Sequence, residues 1–218
     1  MECRTGMLVI ISGPSGSGKG TVVKQLDPEM GYALSISMTT REPRPSEVHG
    51  KDYFFVTEEE FIETRNNDGL LEHAVFTGNL YGTPRTYVEE QIAKGKAVIL
   101  EIEVEGALQV KEMFDDAVLV FLMPPTIDEL SKRLFYRNTE TKMTIEQRLI
   151  RAKNEIKYID SYDYIVINDE VENAVEKINT IVAAEFLKPH RNRHSVENFR
   201  GDEFDVASFI LRIDELVE

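Results

Sequence analysis

The chain has 218 residues, 42% of them apolar and 29% charged, the balance of an ordinary globular protein with room for one core domain and a small insertion. Its formal net charge of −14 argues against a nucleic-acid binder, which needs a basic face. An anionic small substrate stays open, because screening lets local arginines and lysines decide what a pocket takes.

The one cysteine, Cys3, excludes a disulfide within the chain and fits a reducing, cytoplasmic compartment. Met7 to Ile11 is an apolar run too short for a membrane span, with no cleavage-site pattern behind it; it reads as a buried strand, and no membrane attachment is expected. A glycine-rich stretch follows, ISGPSGSGKGTVV from Ile11 to Val23, and the residues from Gly20 open a helix. Ala33 to Met38 alternates apolar and polar, as one half-buried strand does. Thr39 to Phe55 begins as a loop and closes in a short strand at Asp52 to Val56. Thr57 to Asn67 reads as a helix, with Thr57 and Glu60 at capping-box spacing.

Leu70 to Phe76 is predicted as a strand, Asn79 to Pro84 (NLYGTP) as a turn, and Pro84 to Gly95 as a helix with proline at its start and glycine at its end. Lys96 to Glu103 is a near-continuous apolar strand whose end carries Glu101 and Glu103. A helix over Val104 to Phe114, an apolar strand over Ala117 to Met123 and a helix over Ile127 to Arg137 come next. After a polar stretch, Ile145, Leu149, Ala152, Ile156 and Ile159 form one helical stripe. Asp163 to Asn168 is the last strand and Val171 to Lys188 the helix after it. Apolar strands alternating with helices predict an α/β fold, a three-layer sandwich with a parallel central sheet covered on both faces. The stretch from Leu34 to about Tyr81 has strands close together and reads as an inserted β-rich lobe.

Gly13, Pro14, Ser15, Gly16, Ser17, Gly18 and Lys19 follow a strand and open a helix, the setting of a phosphate-binding loop. Glycines let backbone N–H groups turn inward, and Lys19 can reach the β- and γ-phosphates of a nucleotide. Gly20 stands where such loops usually carry the Ser or Thr that ligates Mg²⁺. Thr21 comes one residue late, so its hydroxyl is free for a phosphate. Mg²⁺ is then expected to rest on nucleotide phosphates, water and a carboxylate at the end of VILEIE, with no direct metal ligand assigned. Arg41 and Arg44 lie three apart with Tyr53 downstream, and two planar forks beside a phenol suit a terminal phosphate. Glu72, Tyr81 and Thr83 add a carboxylate, a phenol and a hydroxyl. Arg133 and Arg137 share a helix face, with Arg148 on the next helix; surface pairing with Asp128, Glu129 or Glu146 is the alternative.

With these residues in hand, the sequence resembles the guanylate kinase family from about Met7 to about Lys188. The elements that carry the likeness are SGPSGSGKG, SISMTTREPRPSEVHGKDYFF, LLEHAVFTGNLYGTP, LEIEVEGALQV, RLFYRNTE and IVIND. The resemblance implies a phosphate-loop kinase that moves the γ-phosphoryl of ATP, with Mg²⁺, to GMP or dGMP. It implies a core of 1–33 and 84–188 with a helical lid at about 126–160, and a GMP-binding lobe at 34–83. Arg41, Arg44, Tyr53 and Tyr81 would then hold the acceptor phosphate, with Glu47 orienting the arginines. Ser37, Glu72, Thr83 and Glu103 would face guanine, and Lys19, Arg133, Arg137 and Arg148 would surround the transferring phosphoryl. Gly13 to Thr21 and Asn168 would bind ATP, Asn168 at the adenine. Adenine lacks guanine's N1–H and N2–H₂ donor pair and would leave a buried carboxylate unpaired.

Three departures stand against the family pattern. Asn138 and Ser46 replace usual glycines, the first expected to stiffen the lid and the second to matter little. Residues 189–218 extend past the usual end, with a basic cluster (His190, Arg191, Arg193, His194). Apolar positions then recur at helical spacing (Val206, Phe209, Ile210, Ile213, Leu216, Val217). They are expected to form a helix packed on the parent domain, or else a contact in a homo-oligomer or with a partner. Two other functions compete: a silent guanylate-kinase-like binding module, and a kinase of the same fold acting on another phosphorylated substrate.

Overall fold

The computed structural model describes residues 5–26, 31–76, 78–135 and 142–193. At its centre lies β1 (Met7–Ser12), flanked in parallel by β7 (Ala97–Glu101) and β8 (Val118–Met123). β2 (Tyr32–Leu34) extends the sheet beyond β7, and β9 (Tyr164–Ile167) extends it beyond β8, giving the order β2-β7-β1-β8-β9, all parallel. Side chains alternate across a strand, so β1 is apolar on both faces only because both are covered. Val9 and Ile11 pack with Val22 of α1 (Lys19–Val23) and with Ile178 and Phe186 of α7 (Val171–Phe186). Leu8 and Ile10 pack on the other face, with Val88 of α3 (Arg85–Ala93) and Val110 of α4 (Val104–Met113). The expected α/β sandwich with a parallel sheet is what the chain forms.

Between β2 and β7 the chain makes a second, four-stranded sheet of order β4-β3-β6-β5. Its strands are β3 (Met38–Thr39), β4 (Phe54–Phe55), β5 (Leu70–Phe76) and β6 (Asn79–Pro84). Helix α2 (Glu58–Asn66) starts in the predicted capping box: Thr57 Oγ1 accepts from the Glu60 amide at 3.2 Å, and Glu60 accepts from the Thr57 amide at 2.8 Å. Two expectations fail here. NLYGTP is no turn; it is strand β6, pairing with β5 from Phe76↔Asn79 back to Leu70↔Pro84. Pro84 closes that strand and, as the N-cap residue, stands at the start of α3 as expected. The alternating run Ala33 to Met38 is no single strand either. It leaves the central sheet after Leu34 and joins the second sheet at Met38.

Helices α5 (Ile127–Phe135) and α6 (Lys142–Glu155) meet through Leu130 and Leu134 against Leu149 and Ala152. The predicted stripe breaks at Ile156, where the helix tightens into a 3₁₀ segment, Ile156–Ser161. Arg137 and Asn138 lie outside the described residues, as do His194 and the apolar positions from Val206 to Val217. Ser46 is described and exposed, and it does not take a left-handed backbone: Asp68 is the one non-glycine residue with positive φ among those described. A glycine is not needed there. No helix among the described residues is long and apolar enough to cross a membrane.

Candidate active site

The functional side chains collect at the carboxyl ends of the central strands, where ligands bind in open α/β sheets. β1 runs straight into the glycine loop. Gly18 caps α1 with φ of 92°, a left-handed value that suits glycine, and Asn168 Nδ2 packs against it. Asn168 follows β9, is buried, and donates to the Ser17 carbonyl at 2.8 Å. Its side chain thus braces the loop from behind. Lys19 Nζ donates to the Gly13 carbonyl at 2.7 Å and lies 3.6 Å from Glu103 Oε1. A Cβ at Gly20 would stand 3.3 Å from Oε1 of Glu101, a few tenths of an ångström inside ordinary contact, so the carboxylate at the end of β7 lies close against the loop.

Arg133 and Arg148 both close on the loop. Arg148, on α6, donates to Ser15 Oγ at 2.6 Å and 3.1 Å. Arg133, on α5, donates to the Asn168 carbonyl at 3.0 Å and to Glu129 at 2.9 Å. The surface partner Glu129 and the inward contact are therefore satisfied by the same guanidinium.

Across the cleft, the loop after β3 carries the arginine pair. Glu47 receives Arg41 Nη2 on both oxygens, at 2.8 Å and 2.9 Å. It also accepts the Arg44 amide at 2.8 Å and the Arg44 guanidinium at 3.3 Å. Burial works against the Glu47 charge, but the Arg44 amide and the Arg41 guanidinium outweigh it and hold the carboxyl below its usual range. Burial likewise opposes the Arg41 charge, and the bonds to Glu47 and Tyr81 outweigh it. Arg41 lies over the Tyr53 ring at 5.5 Å, and Tyr53 meets Tyr81 edge-on at 6.1 Å. Burial, and then the Glu101 charge, push the Tyr53 phenol up to about 12, so it stays a proton donor.

A cavity of about 170 Å³ joins the two sides. Lys19 reaches it from the loop; Ser37, Arg41, Arg44, Tyr53, Glu72, Tyr81 and Glu103 reach it from the other walls. Of the residues expected at the acceptor, Glu47 and Thr83 stand behind this lining. Thr83 does not face the cavity as a free donor: its hydroxyl gives its proton to Glu72 Oε1 at 2.7 Å. Glu72 is buried, and burial raises its carboxyl to about 7 against the bonds from Thr83. Arg151 of α6 also lines the cavity and was not foreseen. Nothing local marks it among the basic residues of that helix; only its contact with Glu103, far away in sequence, does.

The sheet, the glycine loop and the arginine-lined cavity facing it define a phosphate-loop α/β protein. Residues 5–185 match the family model described as guanylate kinase. The chain is 53% identical over 187 residues to "Guanylate kinase" of Oceanobacillus iheyensis, covering 85% of this chain and 91% of that one. It is 48% identical over 193 residues to "Guanylate kinase" of Clostridium acetobutylicum, covering 88% and 92%. The crystal structure of guanylate kinase from Anaplasma phagocytophilum superposes with a TM-score of 0.75 at 34% identity, covering 90% of this chain and 96% of that one. The chain belongs to the guanylate kinase family, a family of phosphotransferases.

Proposed function

We propose that the protein transfers the γ-phosphoryl of ATP to GMP or dGMP, giving ADP and GDP or dGDP, in cytoplasmic purine nucleotide metabolism. The observation that carries this reading is a single cavity holding the loop lysine Lys19, the Arg41–Arg44 fork on Glu47, and the buried carboxylate Glu72. The core supplies the donor side and the β-rich lobe the acceptor side. Arg41, Arg44, Tyr53 and Tyr81 bind the acceptor phosphate. Glu72, set by Thr83, takes N–H donors of guanine, with Ser37 and Glu103 beside it.

An oxygen of the acceptor phosphate attacks the γ-phosphorus in line, and the bond to the bridging oxygen of ADP breaks. The attacking oxygen is already anionic, so no general base is needed. Catalysis is alignment and charge neutralisation by Lys19, Arg133 and Arg148. Among the described residues no group of three acidic, His or Cys side chains could hold a metal alone. The donor set instead fits an ion shared with phosphate and water: Glu101 stands against Gly20, and Thr21 is left for a phosphate. Mg²⁺ bound there would offset phosphate charge. The silent binding module is disfavoured, because Lys19, Arg133 and Arg148 all stand at the loop.

The test is ADP release from ATP and Mg²⁺ with GMP, dGMP, AMP, CMP or UMP offered in turn. Turnover with GMP and dGMP is expected, and preference for AMP would overturn the assignment. Lys19→Ala is expected to lower kcat at least about a hundredfold, the scale of losing one charge-stabilising donor, with an unchanged circular dichroism spectrum.

A further inference from the structure

A row of alternating charges runs beneath the cavity. Glu155 Oε1 accepts from Arg151 Nε at 2.8 Å; Arg151 Nη2 is 3.5 Å from Glu103 Oε2; Glu103 Oε1 is 3.6 Å from Lys19 Nζ. Glu103 caps α4 but gives no side-chain bond to that helix. Its Oε2 is buried and takes no hydrogen bond, only the Arg151 charge at 3.5 Å. The Glu103 side chain lines the cavity and is 31% exposed, so its carboxylate stays within a ligand's reach. Glu155 is buried, and burial lifts its carboxyl while Arg151 pulls it down.

We propose that Arg151 is a positioning residue for the acceptor base, which draws Glu103 away from Lys19 and holds its carboxylate at the cavity wall. The proposal rests on the reading of this cavity as the guanine site. Glu103 stands between two cations. Without Arg151 it swings wholly to Lys19, and a tighter pair there removes the carboxylate from the base. Glu155 fixes the guanidinium through the 2.8 Å bond, so the fork rather than a bare charge sets the geometry. Arg151 touches neither reacting phosphate in this scheme; it acts through Glu103.

Steady-state kinetics at saturating ATP test it. Arg151→Ala is expected to raise KM for GMP about tenfold, a coupling of ordinary size between contacting residues, while kcat changes less and the unfolding midpoint holds. Arg151→Lys recovers only part, since it keeps the charge and loses the fork. Glu103→Gln also raises KM for GMP, and adding Arg151→Ala to it gives no further rise. If Glu103→Gln leaves KM for GMP unchanged, the reading of the cavity itself is wrong at Glu103. If Glu103→Gln raises KM but Arg151→Ala does not, or the two effects simply multiply, the positioning role is overturned and the cavity reading stands. A loss confined to stability and kcat would mark Arg151 as a packing residue.

Discussion

At the carboxyl ends of the central strands Arg41 and Arg44 share Glu47 beside an open cavity; at the amino ends Arg191 is sealed among Asp116, Glu185 and the Gly6 carbonyl. The pairing chemistry is the same. Arg191 lies 2.7 Å from Asp116 Oδ2 and 3.8 Å from Glu185, and donates to the Asp116 carbonyl at 3.1 Å. Glu185 also takes the Tyr164 hydroxyl at 2.7 Å and Lys188 at 2.8 Å. What differs is water. The Arg191 side chain is 0% exposed, against 17% for Arg41 and 70% for Arg44. A dry guanidinium is given over to the fold and ties the 3₁₀ segment Pro189–Asn192 to the start of β1 and β8. A wet cluster holds its cations in place and keeps them for a ligand.

The largest effect should therefore fall at the dry end. Arg191→Ala leaves two carboxylates facing a hole, one of them buried, and should cost about 3–5 kcal/mol of folding free energy, read by urea denaturation. GMP and ATP kinetics per folded molecule should not move, because the cluster is at the far end of the sheet from the cavity. A raised KM for GMP at undiminished stability would break the contrast between the two ends.

How much of this contrast can be read beforehand is uneven. The glycine loop, its Lys19 and the apolar strands on either side are legible because one local run carries each of them. The arginine fork is legible because Arg41, Arg44 and Glu47 lie within one loop. Strand β6 is not, since glycine and proline in NLYGTP speak for a turn. Gly82 is there for another reason: a Cβ on it would come within 2.9 Å of the Glu72 carbonyl, so the strand needs glycine to lie close to β5. The basic stretch around Arg191 stands out in composition, yet nothing local tells that Arg191 enters the core while His190 stays half-exposed. Arg151 is hidden for the same reason. Long-range partners, not neighbours in the chain, decide which charge becomes buried.

Glu72 lies between the two extremes: buried like Arg191, but with a hydroxyl instead of a cation as its partner. Its carboxyl rises from the ordinary 4.5 to about 7, so the folded protein holds a proton there that the unfolded chain has lost. The contribution of this group to stability is then greatest below about 4.5 and falls as pH climbs toward about 7, levelling off above it. Glu72→Gln keeps an acceptor for Thr83 and removes that titration. It should match the parent near pH 4.5 and exceed it above pH 7 by about 3 kcal/mol, while KM for GMP rises sharply. Equal stability curves across the range would show that Glu72 is solvated in the folded state.

The smallest change in stability should come from Arg41→Ala, although it removes a guanidinium bonded to both oxygens of Glu47. Glu47 is not orphaned, because the Arg44 amide at 2.8 Å and the Arg44 guanidinium at 3.3 Å remain. The Arg41 and Glu47 side chains are 17% and 12% exposed, so the loss should be about 1–2 kcal/mol, still well below that of Arg191→Ala. Binding is another matter. One of two forks aimed at a phosphate disappears, and a charge-assisted bond of that kind is worth about 1.5–3 kcal/mol, so KM for GMP should rise tenfold to about a hundredfold with KM for ATP nearly constant. Isothermal titration with GMP and urea unfolding on one preparation separate the two. A destabilisation as large as that of Arg191→Ala, with GMP affinity intact, would make the cleft arginines structural and erase the distinction between the ends of the sheet.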